Sequence, residues 1–377
     1  MASHEQVKSP GDVIREMLSV KGWTQAELGA VLGLPPSRVT DLIQNKRNID
    51  PELAVALSEV FFENTAEQWL SIESRYRLSL TPRSNEQVRK RAGLLEIAPI
   101  KEMERRGWIK PTSSSDELEA ELCRFFETDS LATLPSISGA TRKTDSQDSL
   151  TPAQRTWCQR VRQLAKSMLV AKFSEERLPE CERAIRKLSA YPQEAQKLPA
   201  LLASFGIRFV VVEPSASCKV DGVAMWLDES WNSPVIGVSF RYDRIDAFWH
   251  TVCHELSHIR HHDEQAFDAD LTSDDLLLTV KSHVERRADA EAATTLIPGG
   301  ELESFIQRVG PLYSKDRIVQ FAHRIKMHPG VIVGQLQFRK EIGYSANREM
   351  LSKLRSIVAP VAITDGWGFT IDQRSLA

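Results

Sequence analysis

Apolar positions in the first eighty residues recur at helical spacing. Asp12 to Val20 reads as an amphipathic helix, and Thr24-Gln25-Ala26-Glu27 is a capping box that opens a second, with Leu28 and Val31 turned inward and Gly33 ending it. A turn at Leu34-Pro35 leads to Pro36, a favourable helix start, and the apolar Val39, Leu42 and Ile43 predict a third helix. Helices from Pro51 to Phe61 and from Thr65 to about Tyr76 complete a five-helix bundle. Helix, tight turn, helix is a DNA-reading arrangement. The third helix is expected to present Ser37, Arg38 and Thr40 to base edges, with Gln25, Asn45, Lys46 and Arg47 reaching phosphates.

Residues 84–199 read as a helical connector. Glu86 to about Arg106, Ser115 to Glu127, Pro152 through Lys172 and Glu180 to about Ala190 are helical, and Thr128 to Thr151 is a Ser- and Thr-rich linker. The period then drops to two. Ile207–Val212, Val220–Leu227 and Val235–Phe240 are β-branched runs, with turn chemistry at Asn232-Ser233-Pro234. They predict a small antiparallel sheet whose edge could hold an extended peptide. Helical spacing returns with Phe248, Val252 and Ile259, and Asp243 is placed as N-cap. The fold class is α+β, mostly α, divided at 1–83, 84–199, 200–345 and a C-terminal extension, 346–377. Trp367-Gly368-Phe369 in that extension receives no role.

That last helix carries His254-Glu255-Leu256-Ser257-His258. Histidines four apart leave one helix face a turn from each other, close enough to share one tetrahedral Zn²⁺. Glu255 could take a proton from a water whose pKa the metal has lowered, as a general base does. Six of the nine histidines lie between His250 and His283. A catalytic zinc needs a third protein ligand. The extended pattern with a glycine and a third histidine fails, because those positions hold His261 and Glu264. A downstream helix offers Glu285 instead, with Asp289 one turn later to accept the free N–H of a ligating histidine. Glu291 is a rival ligand that faces roughly the other side of that helix. His283 could donate to a developing oxyanion or lie on the surface. His250, His261 and His262 are expected to cap or to be exposed, Arg286 and Arg287 to form a solvated face, and Cys253 to be a buried small hydrophobe.

Two resemblances follow from these motifs. Glu285-x-x-x-Asp289, Leu296-Ile297-Pro298 and Met327-His328-Pro329-Gly330-Val331-Ile332-Val333-Gly334-Gln335-Leu336-Gln337 resemble the ImmA/IrrE zinc metallopeptidase domain over residues 200–345. The resemblance implies a zincin-like domain with zinc on His254, His258 and Glu285 and Glu255 as general base. Family members usually carry an acidic residue two after the ligand and an aromatic six after it. This chain has Arg287 and Glu291 there, which touches substrate choice and packing rather than the four chemical positions. Over residues 10–78, Pro10-Gly11-Asp12-Val13-Ile14-Arg15-Glu16-Met17-Leu18, Trp23-Thr24-Gln25-Ala26-Glu27-Leu28 and Arg38-Val39-Thr40-Asp41-Leu42-Ile43-Gln44-Asn45-Lys46-Arg47 resemble the XRE-class helix-turn-helix domain, particularly HigA-type antitoxins. That implies operator binding and often a partner toxin; a homodimer is expected separately, because it would double the DNA contacts.

Charge qualifies the picture. Residues 1–83 hold nine Lys and Arg against eleven Asp and Glu, a net −2, so DNA affinity would rest on a few cations near Arg38, Lys46 and Arg47 plus dimerisation. The whole chain of 377 residues carries −3, which argues against coating nucleic acid or a membrane surface. Five scattered cysteines and no leader-like apolar stretch point to the cytoplasm. The expectation is a transcriptional regulator joined to a zinc endopeptidase that cuts a partner such as a repressor or antitoxin. The alternatives are an antitoxin whose zincin domain only binds or senses, and a plain transcription factor without metal.

Overall fold

The computed structural model describes residues 7–81, 86–134, 150–263, 266–268 and 283–367. Two compact units divide the chain, Met1–Arg91 and Ala92–Ala377. In the first, α1 (Pro10–Lys21), α2 (Gln25–Leu32), α3 (Pro36–Ile43), α4 (Pro51–Val60) and α5 (Ala66–Leu80) form the expected bundle. Ser9, Thr24, Asp50 and Thr65 each accept a backbone N–H at a helix start, and left-handed Gly22 and Gly33 close α1 and α2. Ile14, Leu28, Val39, Leu42, Leu57, Phe61 and Trp69 make the core. Val31, expected inside, is 56% exposed. Leu28 and Val31 both fit the apolar spacing of the short α2, but the α3 and α4 side chains fill the bundle without Val31.

The division falls within α6 (Glu86–Ile97), whose residues from Ala92 on belong to the second unit; with α7 (Ile100–Arg105) and α8 (Ser115–Phe126) they share a small core of Leu94, Met103, Leu122 and Phe125. Helix expected from Glu86 to Arg106 breaks at Ala98-Pro99, where the proline disfavours helical geometry in the residue before it. The Ser- and Thr-rich stretch 135–149 lies outside the described residues. There follow α9 (Pro152–Lys166), α10 (Leu178–Leu188), α11 (Leu198–Ser204), β1 (Arg208–Val211), β2 (Gly222–Trp226) and β3 (Pro234–Val238). Next come α12 (Ile245–Arg260), β4 (Ala266–Asp268), α13 (His283–Leu296), α14 (Glu301–Val309), α15 (Lys315–Ile325), α16 (Pro329–Phe338), α17 (Arg355–Val358) and β5 (Ile363–Thr364).

The sheet order is β4-β2-β3-β1-β5. It is mixed rather than antiparallel: β2 runs antiparallel to β3 and β4, whereas β1 is parallel to β3 and β5. The three apolar runs predict strands but not neighbours. β3 turns back along β2 and slots between it and β1, which makes the β1 pairing parallel.

Alternation within the strands explains why the sheet is covered twice. Phe209, Val211, Ala224, Trp226, Ile236 and Val238 face one core with α10 to α16, while Val210, Val223, Met225 and Val235 face another beneath α9 with Trp157 and Val161. The Trp157 indole N–H donates to the Val212 carbonyl at 2.9 Å, pinning α9 to the sheet. Residues 152–199, expected as connector, are therefore part of the second unit, with α9 covering one sheet face and α10 packed in the core on the other. The extension is likewise built in through β5. Both corrections have one cause: apolar side chains on both sheet faces demand cover from flanking segments.

Helix α12 lies at the centre, with Phe248, Trp249, Val252, Leu256 and Ile259 buried in the larger core. Its N-cap is Arg244, not Asp243. Asp243 Oδ1 instead accepts the backbone N–H groups of Leu354 and Arg355, both at 2.8 Å, and Arg355 donates to the Phe240 carbonyl at 2.5 Å. One carboxylate thus ties the C-terminal segment to the start of α12. Asp243→Ala should lower the unfolding free energy of this unit by about 2–3 kcal/mol, since two donors lose a charged acceptor, and Asp243→Asn should recover part of it. Chemical denaturation of the full chain, followed by tryptophan fluorescence, measures both.

Candidate functional site

Helix α12 is apolar on nearly every side, yet it places His254, Glu255 and His258 at 0% exposure in the middle of the core. Burying such groups is unfavourable unless each polar atom finds a partner. For the two imidazoles the partners come from α13, which packs against α12, and from the chain just past the end of α12. His254 Nδ1 lies 3.1 Å from Asp289 Oδ1, and His258 Nδ1 lies 2.9 Å from Asp263 Oδ2. An ionised carboxylate only accepts hydrogen bonds, so the His258–Asp263 bond puts that ring's hydrogen on Nδ1, and the Asp289 carboxylate beside His254 Nδ1 favours the same tautomer there; each Nε2 then keeps its lone pair.

Those lone pairs meet. His254 Nε2 and His258 Nε2 are 3.0 Å apart, with Glu285 Oε2 3.1 Å from the first and Glu285 Oε1 3.7 Å from the second. Three acceptors converging without a hydrogen between them repel, and a cation among them reverses the sign. Zinc ligands at about 2.0–2.1 Å in tetrahedral geometry stand about 3.3 Å from one another, a value that the three separations bracket. The donor set and its spacing therefore fit a zinc ion. Burial pushes the His258 pKa below the ordinary histidine value, and the neighbouring His254 adds to this against the opposing pull of Asp263 and Glu285. The neutral ring is the form that ligates.

Asp263 was not among the expected residues. Burial disfavours its ionised form, but hydrogen bonds from Arg287 and His258 outweigh that and hold its pKa below the usual value. Arg287, expected on a solvated face, pairs with Asp263. The signal was present: a carboxylate five residues after the second histidine, just beyond the helix end, can reach back to its Nδ1. Glu291 is not part of the cluster of ligand atoms. It accepts from Ser257 Oγ at 2.6 Å and contacts His261 Nε2 at 2.8 Å, bracing α13 against α12. His283 is exposed at the first residue of α13 and takes no part in the hydrogen bonds that hold the imidazoles. His250, expected at the surface or as a cap, is buried beside His254, ring centroids 6.0 Å apart, and can form a second potential ligand group with His254 and Asp289. His262 stacks on Trp231, and Cys253 is buried, which raises its thiol pKa well above the usual value.

Glu255 lies against the first residue of β2. A Cβ built on Gly222 would stand 2.5 Å from Glu255 Oε1 and 2.5 Å from a Thr251 methyl, so only glycine fits there. No local pattern signals this approach, because the two residues are separated along the chain by the whole of β3.

In the first unit, Gln25, Ser37, Arg38 and Lys46 are exposed. The other three expected DNA contacts are engaged within the protein. Thr40 Oγ1 donates to the Pro36 carbonyl at 3.0 Å, and Arg47 pairs with Asp50 at 3.8 Å. Asn45, left-handed at φ 59°, accepts the Gly11 N–H through Oδ1 at 2.8 Å and donates through Nδ2 to Ser9 Oγ at 2.9 Å. It joins the end of α3 to the start of α1. Gly11 makes that joint possible, since a Cβ there would stand 2.1 Å from the Ile43 carbonyl oxygen.

The five-helix bundle, with α3 presented beyond a tight turn from α2, defines a helix-turn-helix DNA-binding domain. Residues 14–68 match the family described as helix-turn-helix, and the chain belongs to that family. Virulence-associated protein A of Dichelobacter nodosus is 32% identical over 80 residues, 21% of this chain and 78% of the relative. Virulence-associated protein I of the same organism is 26% identical over 80 residues, 21% of this chain and 73% of the relative. An uncharacterized HTH-type transcriptional regulator, YddM, of Escherichia coli (strain K12) is 29% identical over 79 residues, 21% of this chain and 80% of the relative. Among the described residues no helix is long and apolar enough to cross a membrane.

Asn45→Ala should destabilise the first unit by about 1–2 kcal/mol, because the Gly11 N–H loses its acceptor and alanine tolerates positive φ poorly. Lys46→Ala, on an exposed side chain, should stay within about 0.5 kcal/mol of the wild type. Thermal unfolding followed by circular dichroism separates the two.

Proposed function

We propose that this protein is an XRE-type transcriptional regulator joined to a zinc-dependent endopeptidase domain of the ImmA/IrrE kind, with a repressor or antitoxin as the protein cut. The observation that carries this reading is the convergence of His254 Nε2, His258 Nε2 and a Glu285 carboxylate within 3.0–3.7 Å of one another. When bound there, zinc supplies Lewis acidity toward a water and a peptide carbonyl. The chain's own residues do the rest. Asp289 and Asp263 fix the tautomers and orientation of the two imidazoles, Arg287 holds Asp263 ionised, and Glu255 takes a proton from the attacking water and returns it to the leaving amine nitrogen.

Glu255→Gln should keep about one zinc per chain and cut no substrate, whereas Glu285→Ala should lose most of the metal. Elemental analysis of the purified chain gives the first quantity. Mass spectrometry of new termini, after incubation with candidate repressors and antitoxins, gives the second. Undiminished cleavage by Glu255→Gln would refute the mechanism.

A second reading is supported by the burial of His254, Glu255 and His258, each 0% exposed. In it the chain is an antitoxin, and a metal held only by the folded state stabilises a domain that binds a toxin or senses a signal. A stable, uncleaved complex with the partner selects this reading.

For the helix-turn-helix unit we place Arg38 at a base edge, with Lys46 and Gln25 at the backbone; as a homodimer the chain would double these contacts. In mobility-shift titrations against the upstream operator region, Arg38→Ala should weaken binding at one base position by about tenfold. Lys46→Ala should weaken it across sequences and flatten the salt dependence.

A further inference from the structure

A cavity of about 700 Å³ opens in the second unit where the C-terminal ends of α10 and α15 meet the start of α16. The helix ends are joined there: Arg186 Nη2 donates to the Ile325 carbonyl at 3.3 Å, and Ser189 Oγ lies 3.2 Å from Met327 Sδ. Spacing of three and four residues puts Arg183, Arg186 and Lys187 on the α10 face opposite the buried Cys181 and Ile185. Lys326, in left-handed conformation at the end of α15, completes four fixed positive charges around one space, and no carboxylate lines it.

Cations at the ends of α10 and α15 also complement the helix dipoles, an ordinary reason to find them. The magnitudes separate the two roles. Two helix C-termini contribute about −0.5 each and the α16 N-terminus about +0.5, so roughly half a negative charge faces four positive ones. A strong excess remains. Among the described residues, Arg183, Lys187 and Lys326 form no ion pair with a carboxylate. The remaining lining is of another kind. Ala190, Ile325 and Met327 provide apolar surface, and the Tyr191 ring, 66% exposed, stands at the edge. His328 is neutral in character: burial lowers its pKa, and its Nδ1 accepts the Gly330 N–H at 3.0 Å, which leaves Nε2–H as donor.

We propose that this cavity binds a small phosphorylated ligand with a planar ring, of the nucleoside phosphate class. Its volume lies within the range of about 300–1,000 Å³ typical of small-molecule sites. The guanidinium and ammonium groups match phosphate oxygens, His328 adds a neutral donor, and Tyr191 with the apolar wall offers a surface for a base. Such a site would let a soluble metabolite bias the second unit without touching the proposed metal centre.

Calorimetric titration of the full chain with ADP, inorganic pyrophosphate and a single-stranded oligothymidine tests the assignment. ADP should bind one to one, and pyrophosphate more weakly. The combined variant Arg183→Gln, Lys187→Gln, Lys326→Gln should weaken both by about tenfold or more. Tyr191→Ala should weaken ADP while leaving pyrophosphate unchanged. Arg186 is kept, because it supports the fold, and the melting temperature of each variant checks folding. Absence of binding by either phosphate probe overturns the proposal, as does affinity unchanged in the combined variant. Pyrophosphate binding as tight as ADP binding removes the ring from it. Oligothymidine binding tighter than ADP and lost in the combined variant would make the cavity part of a nucleic-acid track instead.

Discussion

The second unit depends on how a polar motif can sit inside an apolar core. His254, Glu255 and His258 are carried into the interior on a helix whose other residues are among the most buried in the chain. Left unmatched, these groups would be a heavy liability. The two imidazoles are matched in ranks: carboxylates on the outer ring nitrogens, a guanidinium behind one carboxylate, and a third acceptor brought to the inner nitrogens by α13. The outer rank determines where the ring hydrogens lie, and so gives the inner rank its affinity for a positive centre. In the proposed function that centre is zinc, but the polarity of the arrangement is a property of the polypeptide itself.

The sheet serves this arrangement as a wall. Its strands alternate apolar side chains to both faces, so it needs helices above and below, and the segment between the two motif-bearing regions supplies one of those layers. Placing α9 on the far face leaves the near face for α12, and the hairpin of β2 and β3 runs directly along it. The C-terminal segment then closes the assembly through β5 and the Asp243 tether. Residues 152–199, read as connector, and the described part of the tail, 346–367, are thus structural parts of the unit.

Much of this was legible. Capping boxes, prolines at helix starts and glycines at helix ends located the five-helix bundle, and the spacing of His254, His258, Glu285 and Asp289 anticipated which side chains would meet. The failures share a physical cause. Asp243, Asn45 and Arg287 each take their role from a partner distant in sequence or across a helix pair, which local pattern does not specify, and Val31 lies on a helix too short for spacing alone to decide which apolar side chain turns inward. Strand order likewise depends on how faces are covered, which no period of two encodes. Asp263 was missed because it follows the helix whose periodicity drew attention, although its distance from His258 along the chain made it a candidate.

Gly222 extends the theme to a place where a side chain is missing. The strand there approaches the Glu255 carboxylate with nothing but backbone, since even a methyl group would collide with it. A hydrogen atom in that position gives the carboxylate a rigid neighbour with no rotamers of its own. Whatever conformational freedom Glu255 keeps must therefore come from its own torsions, and the strand acts as a fixed stop that limits how far the acid can swing.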